Sequence, residues 1–239
     1  MGVYMDAPNI EFCHELSLCE SDIERFDLVV KKCAELGFEY VGFGARLPIN
    51  TINPKIVMTN NFPDAWQKKY AESNYLAIDP TVKHALNFIN SITWDDELFS
   101  DQREFHEEAV SHGLKYGWSL PIYDGRVCAL VTFARSNSEL TVREVSANYE
   151  SYVGVSQAIH NFIGSTLINE SCPEMAIDLT SREIEVVKWT IEGKTAEEIG
   201  IILSISTRTV NFHISNVMKK LNAYNKTSAV IKAVKLKLV

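Results

Sequence analysis

Residues 195–221 read TAEEIGIILSISTRTVNFHISNVMKKL, and this stretch decides the architecture of the C-terminal part of the chain. Thr195-Ala196-Glu197-Glu198 is an S/T-x-x-E capping box, in which a hydroxyl and a carboxylate satisfy each other's orphan backbone N–H groups at a helix start. Ser204-Ile205-Ser206 interrupts the helix after a short run, and Ser206 is suited to cap the next one. In that next helix Val210, Ile214, Val217 and Leu221 recur at helical spacing and form an apolar stripe for a core. Asn211, Ser215, Met218 and Asn222 share a different, uncharged face. Two helices joined by so short a turn outline a helix-turn-helix. Upstream, Thr180-Ser181-Arg182-Glu183 repeats the capping box, and Gly193-Lys194 ends the helix it starts; downstream, Asn225 is suited to open a fourth helix. Residues 178–239 are expected to form an all-α, four-helix helix-turn-helix domain.

Charge sets this region apart from the rest. The 239-residue chain carries a net charge of -8. Residues 1–173 hold 13 basic and 24 acidic side chains, whereas residues 174–239 hold 10 and 7. Beyond Glu198 there is no further acid, while Arg208, Lys219, Lys220, Lys226, Lys232, Lys235 and Lys237 remain. An uncharged face flanked by Thr207, Arg208, Thr209, Lys219 and Lys220 suits a DNA groove: short polar groups read base edges while hydroxyls and cations hold phosphates. Asn211 is the leading candidate for a base contact. A packing module with a solvated polar face would show the same periodicity.

The residues themselves carry a resemblance. Leu179-Thr180-Ser181-Arg182-Glu183, Gly193-Lys194-Thr195, Leu203-Ser204-Ile205-Ser206, Thr209-Val210-Asn211-Phe212-His213 and Lys220-Leu221-Asn222 closely resemble the DNA-binding domain of LuxR-type transcription regulators, through the whole domain. The resemblance implies a dimer on a partly palindromic operator, with the helix from Ser206 in the major groove and half-sites about one helical turn apart. It assigns DNA contacts to Thr195, Thr207, Arg208, Thr209, Asn211, Phe212, Ser215, Lys219 and Lys220. His213 is expected to pack within the bundle rather than to bind metal.

A polar stretch around Pro173 separates this domain from what precedes it, so residues 169–177 are read as a linker and 1–168 as a second domain. There, helical patterns at Ser21–Glu35, Pro63–Asn74, Pro80–Asn87, Gln102–His112 and Thr141–Leu167 alternate with strand patterns. The strand patterns lie at Phe38–Ala45, Lys55–Thr59, Ile89–Trp94, Trp118–Tyr123 and Val127–Ala134. The expected fold class is α+β, with one antiparallel sheet inside an α/β/α sandwich. No acidic pair near the start and no strand ending in a phosphoacceptor Asp supports a receiver domain.

Within it, Trp66 and Tyr70 lie four apart on one helix face, the spacing of a core stripe, and Asp79 before Pro80 suits a helix N-cap with proline at the first helical position. A ligand with an amide and two carbonyls would use the same groups as donors and acceptor. Together with Tyr75, Trp94 and the run Glu107-Glu108-Ala109 to Tyr116-Gly117, these residues look like the pocket of quorum-sensing LuxR-type receptors. That resemblance covers most of residues 20–165. It implies that Trp66 donates to the lactone carbonyl of an N-acyl-homoserine lactone, Tyr70 to the acyl carbonyl, and that Asp79 accepts from the amide N–H, assisted by Thr81. Trp94 would wall the lactone ring and Thr132 hold the acyl group. Phe62 stands where other members carry Tyr, so one hydroxyl is absent; Tyr75 completes the lining. The acyl tail is expected against Phe43, Val57, Trp118 and Val131.

Other chemistries find no support in the sequence. There is no Gly-rich phosphate loop, no histidine spacing for a metal and no nucleophile–base pair, so neither an enzyme nor a cofactor beyond the signal ligand is expected. Cys13, Cys19, Cys33, Cys128 and Cys172 form no C-x-x-C pair and suggest neither disulfides nor zinc. With 46% hydrophobic residues but no signal peptide and no apolar run near the roughly 18 residues of a membrane helix, a cytoplasmic protein without membrane partners is expected. The expected partners are an autoinducer, promoter DNA and a second copy of the chain, with RNA polymerase as a further candidate. The alternative is a ligand-independent or anti-activator regulator that acts by heterodimerisation with other regulators of this type.

Overall fold

A computed structural model of the chain describes residues 7–48, 54–125 and 127–239. The described residues up to Arg46, with Ile56–Leu167, form one compact unit; Ile168–Val239, with Leu47 and Lys55, form a second.

The first unit is built on five strands, β1 (Tyr40–Arg46), β2 (Ile56–Asn60), β3 (Ile92–Thr93), β4 (Tyr116–Tyr123) and β5 (Cys128–Arg135). They are ordered β2-β1-β5-β4-β3, with every neighbouring pair antiparallel. The Ile89–Trp94 strand pattern is realised as only two ladder residues, followed by a bond from Trp94 N–H to the Gly117 carbonyl at 2.8 Å. Helices cover both faces, as the α/β/α reading requires. Against one face lie α2 (Asp22–Glu35) and α6 (Val142–Ile159), with α1 (Ala7–Leu18) packed on α6; against the other lie α3 (Asp64–Glu72), a 3₁₀ turn (Tyr75–Ala77), α4 (Pro80–Asn87) and α5 (Arg103–Ser111).

Residues directly opposite in an antiparallel ladder point to the same face, and alternate residues to opposite faces. Phe43, Val131, Phe133 and Trp118 therefore share the α6 face: Trp118 stacks on Phe133 at 5.8 Å and meets Tyr152 at 5.4 Å. Gly42, Thr132 and Ser119 share the other.

The helix expected over Thr141–Leu167 is interrupted. It runs as α6, widens into a single π turn at His160–Gly164 and resumes as α7 (Ser165–Ser171). Two glycines mark close approaches along it. A Cβ at Gly154 would fall 2.2 Å from the Asn9 amide nitrogen, and one at Gly164 would fall 2.4 Å from the Phe43 ring. The π turn is the local widening that lets the chain pass that ring without ending the helix.

The second unit contains α8 (Ser181–Ile191), α9 (Ala196–Leu203), α10 (Thr207–Lys220) and α11 (Lys226–Lys235). Their N-caps are Thr180, Thr195, Ser206 and Asn225, the four residues read from capping chemistry, and both capping boxes are complete. Val186, Ile199 and Val210 form the buried core with Ile214 packed against it. The turn between α9 and α10 is tight: a Cβ at Gly200 would meet the Ile205 carbonyl oxygen at 2.8 Å. Residues 169–177 do not stand apart from this unit. Cys172 and Met175 are buried, Lys55 donates to the Ser171 carbonyl, and Lys232 approaches Glu174 at 3.9 Å.

Candidate functional site

On the α3–α5 face of the sheet, short-range sequence rules and tertiary packing bring most of the sensor residues together. Trp66 and Tyr70, one turn apart on α3, meet with ring centroids 5.7 Å apart. Trp66 is 3% exposed and also contacts Tyr75, Phe105 and His112 at 5.5–5.8 Å. Among the described residues no acceptor meets its indole N–H. Tyr75 and Phe105 separate Trp66 from a surface cleft of about 390 Å³. The Tyr75 hydroxyl turns outward to Glu108 at 2.5 Å, where Lys69 pairs with the same carboxylate at 3.0 Å. These two bonds hold the Glu108 carboxyl below its usual range.

Asp79 caps α4, with Pro80 at the first helical position. Its Oδ1 accepts from the Thr81 N–H at 2.8 Å and the Thr81 hydroxyl at 2.7 Å, and its Oδ2 accepts from the Tyr70 hydroxyl at 2.9 Å. Burial pushes the Asp79 carboxyl up, while the bonds from Thr81, Tyr70 and Val82 oppose that rise. Burial and the neighbouring Asp79 push the Tyr70 phenol far up, so it remains a donor.

A second polar group lies on the same sheet face. The Trp94 indole N–H donates to Ser119 Oγ at 3.0 Å, and Ser119 Oγ is 3.0 Å from Thr132 Oγ1. Trp94 packs over Gly117, where a Cβ would fall 2.5 Å from the indole, and its ring meets Phe99 at 5.7 Å. Phe62 lies over Gly42, with a would-be Cβ 2.7 Å from its ring. Both glycines are positions where the sheet must be bare for an aromatic ring to sit on it. Ser119 escaped the sequence reading. Its signal was present in the alternation Gly117-Trp118-Ser119, which sets Ser119 opposite Thr132 once the register is known.

Trp118 is not brought to this cluster. It is fully buried on the α6 face, one residue out of phase with Gly117 and Ser119. Phe43, Val57 and Val131 lie on that opposite face with it, because each pairs within the same alternate set. The resemblance named them without a strand register, and the ladder sets them on the side of the sheet away from α3–α5.

In the C-terminal unit, Arg208, Asn211, Phe212, Ser215 and Lys219 are all exposed and span about 100° of the α10 circumference. Thr207, exposed too, lies at the start of the same helix. Thr209 is partly buried and its hydroxyl is 2.8 Å from Ser206 Oγ. The Thr195 hydroxyl accepts from the Glu198 N–H as the cap of α9. Lys220 turns away from the exposed stripe: its Nζ donates to Glu183 Oε2 at 2.7 Å and to the Asp178 carbonyl at 3.2 Å. Burial raises the Glu183 carboxyl, but the Lys220 and Thr180 bonds outweigh it and hold the group below its usual range.

A buried polar cluster in an α/β/α unit and an exposed polar helix in a helix-turn-helix unit define a ligand-responsive DNA-binding regulator. Residues 22–162 match the autoinducer binding domain, and residues 178–233 match the family described as bacterial regulatory proteins, luxR family. The chain is 38% identical to the transcriptional activator protein AnoR of Acinetobacter nosocomialis, over 92% of this chain and 94% of that one. It is 34% identical to the transcriptional activator protein SolR of Ralstonia solanacearum, over 95% and 96%. The solved structure of SdiA in complex with octanoyl-rac-glycerol superposes with a TM-score of 0.81 at 28% identity, covering 96% of this chain and 94% of that one. The chain belongs to the LuxR family, as a quorum-sensing transcription regulator with an autoinducer-binding domain, a family of regulators and not of enzymes. Among the described residues no helix is long and apolar enough to cross a membrane.

Proposed function

We propose that the signal is an N-acyl-homoserine lactone bound on the α3–α5 face of the sensor sheet, and that its burial biases a cytoplasmic homodimer toward promoter binding. The observation that carries this reading is the Trp66 indole N–H, on a side chain 3% exposed, which meets no acceptor among the described residues and lies beside the buried Asp79 carboxyl group. One donor and one acceptor in an aromatic surround match a ligand with a carbonyl and an amide N–H. Trp66 donates to the lactone carbonyl. The amide N–H takes the Asp79 Oδ2 position now held by Tyr70, and the released Tyr70 hydroxyl donates to the acyl carbonyl. Thr81 keeps Asp79 oriented throughout. Trp94 walls the lactone ring, Phe62 and Tyr75 complete the aromatic lining, and the Thr132–Ser119 hydroxyl pair faces the acyl chain.

In the DNA-binding unit, residues 178–239, Asn211 and Ser215 read base edges while Thr207, Arg208 and Lys219 hold phosphates. Residues to 168 sense and dimerise, residues 169–177 connect, and the DNA-bound dimer addresses RNA polymerase. Ligand binding stabilises the sensor by RT ln(1 + [L]/Kd), about 2.7 kcal/mol at a hundredfold excess over Kd. The experiment is thermal unfolding of the parent, Trp66→Phe and Asp79→Asn proteins across acyl-homoserine lactones of graded chain length. The expected result is a midpoint rise in the parent, largest at one chain length, which both variants lose. A parent that shifts with no lactone overturns the ligand assignment.

A further inference from the structure

Phe212 is anomalous in its surroundings. On the exposed stripe of α10 its neighbours are a cation, an amide, a hydroxyl and an ammonium, Arg208, Asn211, Ser215 and Lys219, yet Phe212 itself is apolar and 60% exposed. Its ring meets that of His213 at 5.8 Å, and most of it stays open to solvent. The bundle core of this unit, Val186, Ile199 and Val210 with Ile214, is complete without it. An aromatic ring held in water on the edge of a polar, cationic helix face loses apolar burial that a partner restores. The partner of this face is duplex DNA, and the major groove offers one apolar group at a base edge, the 5-methyl of thymine.

We propose that Phe212 is a specificity-determining residue that reads a thymine methyl in each half-site, next to the base contact made by Asn211. This rests on the assignment of α10 to the major groove. The adjacent pair then divides the labour: Asn211 supplies hydrogen bonding, and Phe212 supplies an apolar contact that cytosine, lacking the methyl, does not return. Burying one methyl-sized group corresponds to about fourfold in affinity per half-site, and about fifteenfold for a palindrome altered in both.

The experiment uses the full chain with N-octanoyl-homoserine lactone present throughout. Duplexes with a random stretch of about two helical turns are selected for binding. Each thymine of the selected half-site is then replaced in turn by deoxyuridine, which keeps base pairing and removes only the methyl. The parent is expected to lose affinity by the stated factors at one symmetry-related thymine. Phe212→Ala is expected to bind the thymine and uracil duplexes equally, and Phe212→Leu to keep a reduced preference. Its exposed position leaves the bundle folded, which unchanged thermal unfolding of both variants checks. Equal binding of every uracil duplex by the parent, or a uracil penalty that persists in Phe212→Ala, overturns the proposal. Failure to select any duplex overturns the groove assignment of α10 instead.

Discussion

Asp79 shows how a single side chain can be held against its own solvation preference. Its carboxyl is raised by burial, so the native state binds its proton more readily than the unfolded chain does. The stability Asp79 contributes is therefore full below the unfolded value of 3.8 and is lost as pH rises through the native value. Asp79→Asn removes that dependence. Without lactone the variant is expected to unfold at or above the parent's midpoint at pH 7, with the difference shrinking toward pH 4; a variant less stable at pH 7 refutes this. Lys220 is the converse case, a cation turned inward. Lys220→Ala leaves the Glu183 side chain, 4% exposed, without its ion-pair partner and is expected to destabilise the C-terminal unit by about 2 kcal/mol, less than a fully buried pair because Lys220 is 36% exposed. Chemical denaturation measures this. Because Lys220 is absent from the exposed stripe, the variant's DNA affinity is expected to keep the parent's slope against salt; a shallower slope refutes that placement.

Elements here are joined by a few demanding contacts. Arg135, at the end of β5 and 5% exposed, donates to both oxygens of Glu144 on α6 at 2.7 and 2.8 Å and to the carbonyls of Gly37, Ser138 and Glu139. It fastens strand to helix and closes the sheet end. Arg135 hydrogen bonding holds the Glu144 carboxyl below its usual 4.5, so this stability is present above pH 4.5 and is lost as pH falls through the native value. Glu144→Ala leaves a buried guanidinium unpaired and is expected to cost about 3 kcal/mol in urea unfolding; a change under about 1 kcal/mol would show that the carbonyls alone suffice. In the helix-turn-helix, Gly200→Ala drives a Cβ into the Ile205 carbonyl and is expected to lower stability by 1–3 kcal/mol, about that of an overpacked core, in the same measurement. An unchanged midpoint would mean that the turn relaxes freely.

Across the whole molecule, two chemistries are kept in separate compact units, an acidic sensor and a basic DNA-binding region. Arg208→Ala removes an exposed cation from the α10 stripe. Its expected effect is a loss of affinity of similar size on every duplex and a salt slope shallower by about one. A loss confined to one sequence would instead make Arg208 a base reader.

The helical half of the protein was legible from local chemistry, because a capping residue and its partner lie three positions apart and a core stripe repeats every turn. All four helix starts, at Thr180, Thr195, Ser206 and Asn225, are settled at that range. The capping of α4 by Asp79 and the pairing of Trp66 with Tyr70 are equally local. The sheet residues answered to a different constraint. Which face Trp118, Val131 or Ser119 occupies depends on ladder register between strands, and a shift of one residue exchanges the faces. Ser119 meets Thr132, and Trp118 leaves the ligand side, only because β4 and β5 pair as they do. Likewise the π turn at His160–Gly164 answers to the Phe43 ring more than a hundred residues earlier, and Lys220 turns inward to a Glu183 held on another helix. Helix hydrogen bonds close within four residues and can be read from a window; strand pairing and packing join residues far apart in the chain and exist only once it has folded.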